Sequence, residues 1–146
     1  MCIRDSMKTL TVRFYEQQKN AKILSSFLKN SSVIEKVHYP GIDDNEFYAI
    51  ACKQMNGFGA VISFELIKNI NPKEFLTSLD LINPSMSFAG VESTMLSPAE
   101  TSHQLLTKEQ RNEQGIVDSL IRFSVGIEDP EDLIEDISLA IHKCKK

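Results

Sequence analysis

The sequence predicts an α+β fold, a small sheet of about four strands covered by helices on one face and preceded by a long helix. Three observations carry that expectation. Stretches with the 3.6-residue period of amphipathic helices alternate irregularly with stretches of period two, no segment repeats, and a sharply capped helix closes the chain. The 146 residues, 42% of them hydrophobic, suffice for one domain whose core needs no disulfide or metal.

The elements follow in order. Residues 1–6, with Arg4 and Asp5, are too short and too charged for a signal peptide and are expected to be an extraneous or disordered leader before a second methionine, Met7. Leu10, Phe14, Ala21, Leu24 and Leu28 then recur at steps of three, four or seven between polar residues, predicting a helix over residues 7–30. Val33 to Tyr39 is rich in β-branched and aromatic residues and stops at Pro40-Gly41, as a short strand would. A helix is expected over residues 44–54. Beyond Gly57-Phe58-Gly59, the residues Ala60, Ile62, Phe64 and Leu66 alternate with Val61, Ser63 and Glu65, the signature of a strand with one face more buried.

Asn71 as N-cap and Pro72 at the first helical position open another helix, through Leu79. Residues 85–96 read as irregular or extended, residues 108–114 as a short polar helix, and residues 120–125 as a final strand. In that strand Ile121, Phe123 and Val125 share one face and Leu120, Arg122 and Ser124 the other. Asp129, Pro130, Glu131 and Asp132 complement the positive end of the last helix dipole, and Leu133, Ile137, Ala140 and Cys144 line one side. Lys143, Lys145 and Lys146 sit at its negative end.

Composition removes several functions. Sixteen basic against twenty acidic residues give a net charge of −4, with no Lys/Arg stripe and no Trp, so nucleic acid is not an expected partner. The best apolar run, residues 58–67, is broken by Gly59, Ser63 and Glu65, so a membrane is not expected either. Cys2, Cys52 and Cys144 are odd in number and lie far apart, which reads as free thiols in a reducing cytoplasm and excludes a zinc cluster.

No P-loop, GxGxxG, HExxH or GxSxG motif is present. His38, His103 and His142 are scattered and read as structural, and the acids of residues 128–136 read as a helix start. Two places stand out. Arg122 lies in a strand otherwise built of Leu, Ile, Phe, Ser and Val, where a guanidinium must reach solvent, meet a carboxylate that offsets its desolvation, or hold a ligand. The stretch 85–93 sets small residues and hydroxyls in apolar surroundings, as a backbone approaching a ligand does, or as a tight turn beside a sheet edge does.

Around these places the sequence resembles a known family. Ser87-Phe88-Ala89-Gly90-Val91-Glu92-Ser93, Ser97-Pro98-Ala99-Glu100-Thr101-Ser102-His103 and Leu120-Ile121-Arg122-Phe123-Ser124-Val125-Gly126-Ile127-Glu128 resemble the carboxyl-terminal domain of the Cys/Met-metabolism enzymes dependent on pyridoxal phosphate, the transsulfuration family. Met7-Lys8-Thr9-Leu10 with Arg13, Asn20-Ala21, Tyr39-Pro40-Gly41 and Gln54-Met55-Asn56-Gly57-Phe58-Gly59 match the same family in the same order, over residues 7–141.

The resemblance implies the carboxyl-terminal domain of a fold-type I enzyme, residues 7–146 with a linker helix at 7–30, whose cofactor domain precedes Met7. The family's Schiff-base lysine stands in a Ser-x-Thr-Lys context that this sequence lacks, so no catalytic residue is assigned and pyridoxal 5′-phosphate is not expected to bind this chain alone. Position by position, Arg122 matches the arginine that grips the substrate α-carboxylate, whose clamping decides which Cα bond faces the electron sink. Ser87 matches a serine beside that carboxylate. Met86, Glu92, Ser93 and His103 match supporting positions, and Met86, where γ-lyases often carry an acid, looks more like the β-lyases.

The usual Ser-Leu-Gly-Gly reads Ser87-Phe88-Ala89-Gly90, a change that suits a backbone with φ below zero at Ala89. The implied activity is β-elimination of cystathionine in methionine and cysteine metabolism, with a γ-synthase or γ-lyase as the alternative and a homotetramer as the assembly. The substrate is a small amino acid, cystathionine or an acyl-homoserine. A non-catalytic module that binds amino acids or another chain fits the same residues, and an open reading frame continuing upstream of Met7 would favour the enzyme. A domain shaped to lean on a larger one is also expected to leave a patch uncovered at Leu10, Phe14 and Leu24.

Overall fold

A computed structural model describes residues 3–145, so Cys2 and Lys146 lie outside the described residues. Ile3–Lys8 forms a short helix, α1, with no buried residue. A break at Thr9 follows, where Arg13 reaches back to the carbonyl and hydroxyl of Ser6 (both 3.0 Å), and α2 then runs over Leu10–Lys29. Ala21, Leu24 and Leu28 of α2 are fully buried.

The sheet has five strands rather than about four: β1 (Ile34–His38), β2 (Val61–Leu66), β3 (Asn83–Pro84), β4 (Thr94–Leu96) and β5 (Leu120–Ser124). Their order is β1-β2-β5-β4-β3, antiparallel except for the β3–β4 pair. The additional strand, β3, is a two-residue pairing just before residues 85–96, and β4 lies inside that stretch, whose sequence reads as irregular or extended. At the edge, β1 shifts register between Ile34 and Lys36, leaving Glu35 out of the ladder.

Period-two alternation sorts the faces. Ile62, Phe64, Leu66, Met95, Ile121 and Phe123 point into the core. There they meet α2, the short helix α4 over Pro72–Thr77 (Phe75, Leu76) and the last helix α6 over Pro130–Cys144 (Leu133, Ile137, Ala140, Ile141). Phe64 and Phe75 pack edge to face with centroids 6.2 Å apart. Both caps read from sequence form: Asn71 Oδ1 accepts from the N–H groups of Lys73 and Glu74, and Asp129 accepts from Glu131.

Helix α3 covers only Tyr48–Gln54, not residues 44–54. Successive turns occupy the preceding stretch: the Asn45 N–H donates to the Ile42 carbonyl, the Phe47 N–H to Asn45 Oδ1 and the Tyr48 N–H to the Asn45 carbonyl, local bonds that compete with a longer helix. Helix α5, Lys108–Glu113, carries a reciprocal capping box between Thr107 and Gln110. Among the described residues no helix is long and apolar enough to cross a membrane, and no cluster of His, Cys, Asp and Glu is suited to a metal. Leu10 and Phe14 are exposed as expected, but Leu24 is not part of that patch, because the rear half of α2 lies on the sheet.

Candidate functional site

Opposite the core, the sheet presents a polar face. From β1 to β4 it carries His38, Ser63 with Glu65, Arg122 with Ser124, and Thr94 with Leu96, fixed there by the strand register. His38 Nε2 and Glu65 Oε1 are 2.7 Å apart. The segment after β3 folds over the β4–β5 end of this face and is strapped to both strands. Thr94 donates its hydroxyl to the Ser87 carbonyl at 2.7 Å, and the Ala89 N–H donates to Ser124 Oγ at 3.0 Å. From α2, Gln17 donates to the Gly90 carbonyl at 2.6 Å.

Arg122 therefore projects toward the serine-bearing turn. Its Nη2 donates to the Met86 carbonyl at 3.0 Å, and its Cζ lies 5.2 Å from the centroid of the Phe88 ring. Its Nε is buried with no hydrogen-bond partner, and no carboxylate pairs with it among the described residues. Arg111 shows the other arrangement open to an arginine. It bonds Asp118 at 2.8 Å and the Leu106 carbonyl at 2.9 Å, and Lys108 shares the same carboxylate, which is thereby held below the usual range by hydrogen bonds from Lys108 and then Arg111. Arg111 is a strut of the scaffold, whereas Arg122 keeps its charge unmatched.

The remaining sequence-picked residues separate. Ser87 and Met86 are exposed on the turn beside Arg122. Glu92 is exposed, while Ser93 is fully buried, donating its hydroxyl to Glu128 at 2.9 Å and accepting the Gly126 N–H at 2.8 Å. His103 makes its contacts within its own segment, through Ser102 Oγ (2.8 Å) and the Pro98 carbonyl (2.9 Å). Next to the turn lies a small cavity of about 160 Å³ lined by Leu76, Pro84, Ser85, Met86, Met95, Leu96, Ser97, Glu100 and Thr101, in which the buried Ser97 hydroxyl has no partner.

One expectation for the turn is overturned. Ala89 has φ +61°, not a negative value, the only non-glycine residue with positive φ among those described. Its N–H is committed to Ser124, and the chain must reverse there to reach Gly90 and the Gln17 amide, so the left-handed conformation is held from both sides.

A family model described as Cys/Met metabolism PLP-dependent enzyme matches residues 1–142. The chain belongs to that family. Among curated relatives, cystathionine beta-lyase of Lactococcus lactis subsp. cremoris is 41% identical over 141 residues, and L-methionine gamma-lyase of Fusobacterium nucleatum subsp. nucleatum is 40% identical over 138. These alignments cover 97% and 94% of this chain but 37% and 35% of those proteins. Cystathionine gamma-lyase of Lactobacillus plantarum, solved with L-serine, superposes with a TM-score of 0.93 at 38% identity, over 97% of this chain and 37% of that one. Cystathionine gamma synthase of Xanthomonas oryzae pv. oryzae, solved with cystathionine, gives 0.90 at 33% identity with the same coverage. The chain thus spans little more than a third of the length of such Cys/Met metabolism enzymes.

The family's cofactor, pyridoxal phosphate, requires an amine to condense with. The cavity beside the Arg122 turn is lined by no lysine, and Lys19, Lys29, Lys108 and Lys143 are engaged by carboxylates elsewhere. The donor set here does not fit the whole cofactor; it fits an anion held by a guanidinium. A guanidinium so placed is chemically able to bind a carboxylate and fix its orientation.

Sequence reasoning missed the groups that hold this geometry. Glu128 and Asp136, read as part of a helix start, are clasps instead. Glu128 accepts from both the N–H (2.6 Å) and the hydroxyl of Ser93, and Asp136 accepts the N–H groups of Asp80, Leu81 and Ile82 at 2.8, 3.1 and 2.9 Å. Asn20, fully buried in α2, donates to the carbonyls of Gly126 and Glu128. Gly126 is glycine because a Cβ there would stand 2.5 Å from the Val91 carbonyl oxygen and 2.6 Å from the Ser93 nitrogen. A polar residue inside the apolar stripe of α2 was the available signal for Asn20.

Proposed function

We propose that the chain is the carboxyl-terminal portion of a transsulfuration enzyme that cleaves the C–S bond of cystathionine by β-elimination, with Arg122 as the handle for the substrate α-carboxylate. The observation that carries this reading is the guanidinium itself: opposite the core, beside the serine-bearing turn, and, unlike Arg111 with its Asp118, matched by no carboxylate among the described residues. An arriving carboxylate would supply the missing opposite charge, and a hydrogen bond to a charged group is worth about 1.5–3 kcal/mol. The planar fork then fixes the carboxylate plane, and with it the direction of the Cα substituents, while the exposed Ser87 stands ready to contact the same group.

Pyridoxal phosphate, bound by the remainder of such an enzyme, supplies the electron sink for the elimination. The products are homocysteine, pyruvate and ammonia. The strong likeness to two γ-enzymes supports one second reading: a γ-lyase, which would release cysteine, 2-oxobutanoate and ammonia from cystathionine, or a γ-synthase, which would join cysteine to an acylated homoserine with release of the acyl group's acid. The parent assembly in this reading is a homotetramer.

The test is kinetic. In the full-length enzyme carrying this sequence, Arg122→Lys is expected to raise KM for cystathionine at least about tenfold, because one ammonium cannot reproduce two parallel charge-assisted bonds. Unchanged kinetics would remove Arg122 from the site, and the identity of the 2-oxo acid released separates β- from γ-cleavage. The isolated chain is expected to show neither a cofactor absorption band nor turnover, and a lysine-linked chromophore in it would overturn that part.

A further inference from the structure

We propose that His38 is a positioning residue that acts on Arg122 through Glu65: it holds this carboxylate on the β1 side of the sheet, so that the guanidinium stays open to a substrate. The inference deepens the reading of Arg122 as a carboxylate handle and rests on it.

The strand register sets three residues of the polar face in one row, because His38 of β1 pairs with Ser63 of β2, and Ser63 with Arg122 of β5. Two residues along β2, on the same face, comes Glu65, the only carboxylate in the ladders of the sheet among the described residues. Glu65 is therefore a diagonal neighbour of His38 on one adjacent strand and of Arg122 on the other. Such diagonals span about 7–8 Å, within reach of long side chains. Glu65 has both partners open to it and takes one. Its Oε1 lies 2.7 Å from His38 Nε2, while Arg122 turns the other way, to the Met86 carbonyl.

The imidazole decides between them. An ionised carboxylate only accepts, so Nε2 carries the proton of this bond and His38 is the donor. The Glu65 side chain is 18% exposed, so water supplies few donors in place of the ring. Without His38 the carboxylate has two cations in reach. Lys36, directly opposite on β1, is exposed and strongly hydrated, whereas Arg122 is half-buried and offers a planar fork for two parallel bonds. Capture by Arg122 would fill the group assigned to the substrate, and apparent affinity would fall with the fraction of Arg122 left free.

The test has two arms. In the 146-residue chain labelled with 15N-arginine, Arg122→Lys identifies the Arg122 Nε–H signal by its loss. His38→Ala is expected to shift that signal, and addition of Glu65→Gln to return it to the wild-type position. His38→Gln, which keeps an N–H donor, is expected to leave it in place. In the full-length enzyme carrying this sequence, His38→Ala is expected to raise KM for cystathionine about three- to tenfold with kcat little changed, and His38→Ala/Glu65→Gln to restore it. Glu65→Gln alone is expected to keep the wild-type KM. A pair that only braces the sheet gives another pattern: both single variants impaired alike, and the double variant no better. An Arg122 signal indifferent to His38→Ala, or a double variant with KM no lower than that of His38→Ala, refutes the positioning role whatever Arg122 binds. A shifted, Glu65-dependent signal with KM unchanged in His38→Ala refutes the carboxylate handle instead, and with it the purpose assigned to His38.

Discussion

Replacing Asp136 by alanine is expected to be among the most damaging changes open to this chain outside its apolar core. The carboxylate is 5% exposed and accepts three consecutive N–H groups, Asp80 on one oxygen and Leu81 and Ile82 on the other. Hydrogen bonds to a charged acceptor contribute about 1.5–3 kcal/mol each, and water entering the vacated space recovers part of the loss. The net cost is therefore about 3–5 kcal/mol, a large share of the roughly 5–15 kcal/mol that holds a domain together. At about 2–4 °C per kcal/mol, it lowers Tm by roughly 6–20 °C. Asp136→Asn keeps the shape but turns an NH2 group toward at least one of the three donors, so it is expected to fall between alanine and wild type. Urea titrations followed by circular dichroism check both, at unchanged m-value. A loss below about 1 kcal/mol for the alanine variant would refute the view that this side chain organises the chain between α4 and β3.

Two further outcomes follow from local geometry. Ala89→Gly removes the cost of a left-handed L-residue, about 1–2 kcal/mol, against a backbone-entropy cost for glycine of about 0.5–1 kcal/mol, so urea unfolding should show a gain of about 0.5–1 kcal/mol; a net loss would refute it. Burial pushes the Tyr39 hydroxyl up to about 12 from its ordinary value of 10.0, while its O–H donates to the Gly59 carbonyl at 3.0 Å. The folded state thus binds the proton more tightly than the unfolded chain does. Stability is expected to be flat through Tyr39 below pH 10 and to decline as pH rises toward 12, a decline that Tyr39→Phe should lack in alkaline denaturation curves.

The parts of the fold legible in the sequence are those whose causes are local. Asn71 and Asp129 cap helices two or three residues away, and the alternation from Val61 to Leu66 needs only its own period to declare which face is buried. Arg122 was visible as a charge out of place in its strand. Its freedom from any carboxylate was not, because an arginine of the same chain, Arg111, resolves the same problem by pairing with Asp118. Asn20, Glu128 and Asp136 were misread or passed over for a different reason: their partners lie 35 to 108 residues away in the chain. Such pairs are set by how strands are ordered in the sheet, which no local pattern encodes. The left-handed turn at Ala89 belongs with them, since it is imposed by attachments to β5 and α2 at once.

The register shift in β1 bears on how the molecule behaves in a crowd. An outermost strand is a template on which a neighbouring chain can add itself, and long, flat, uncharged ones seed aggregates. Here the outermost strand is only five residues long, is buckled between Ile34 and Lys36, and carries Glu35, Lys36 and His38. An incoming strand would lose ladder bonds at the buckle and would have to lie against those polar side chains. Straightening and neutralising this stretch would turn a self-limiting border into an adhesive one.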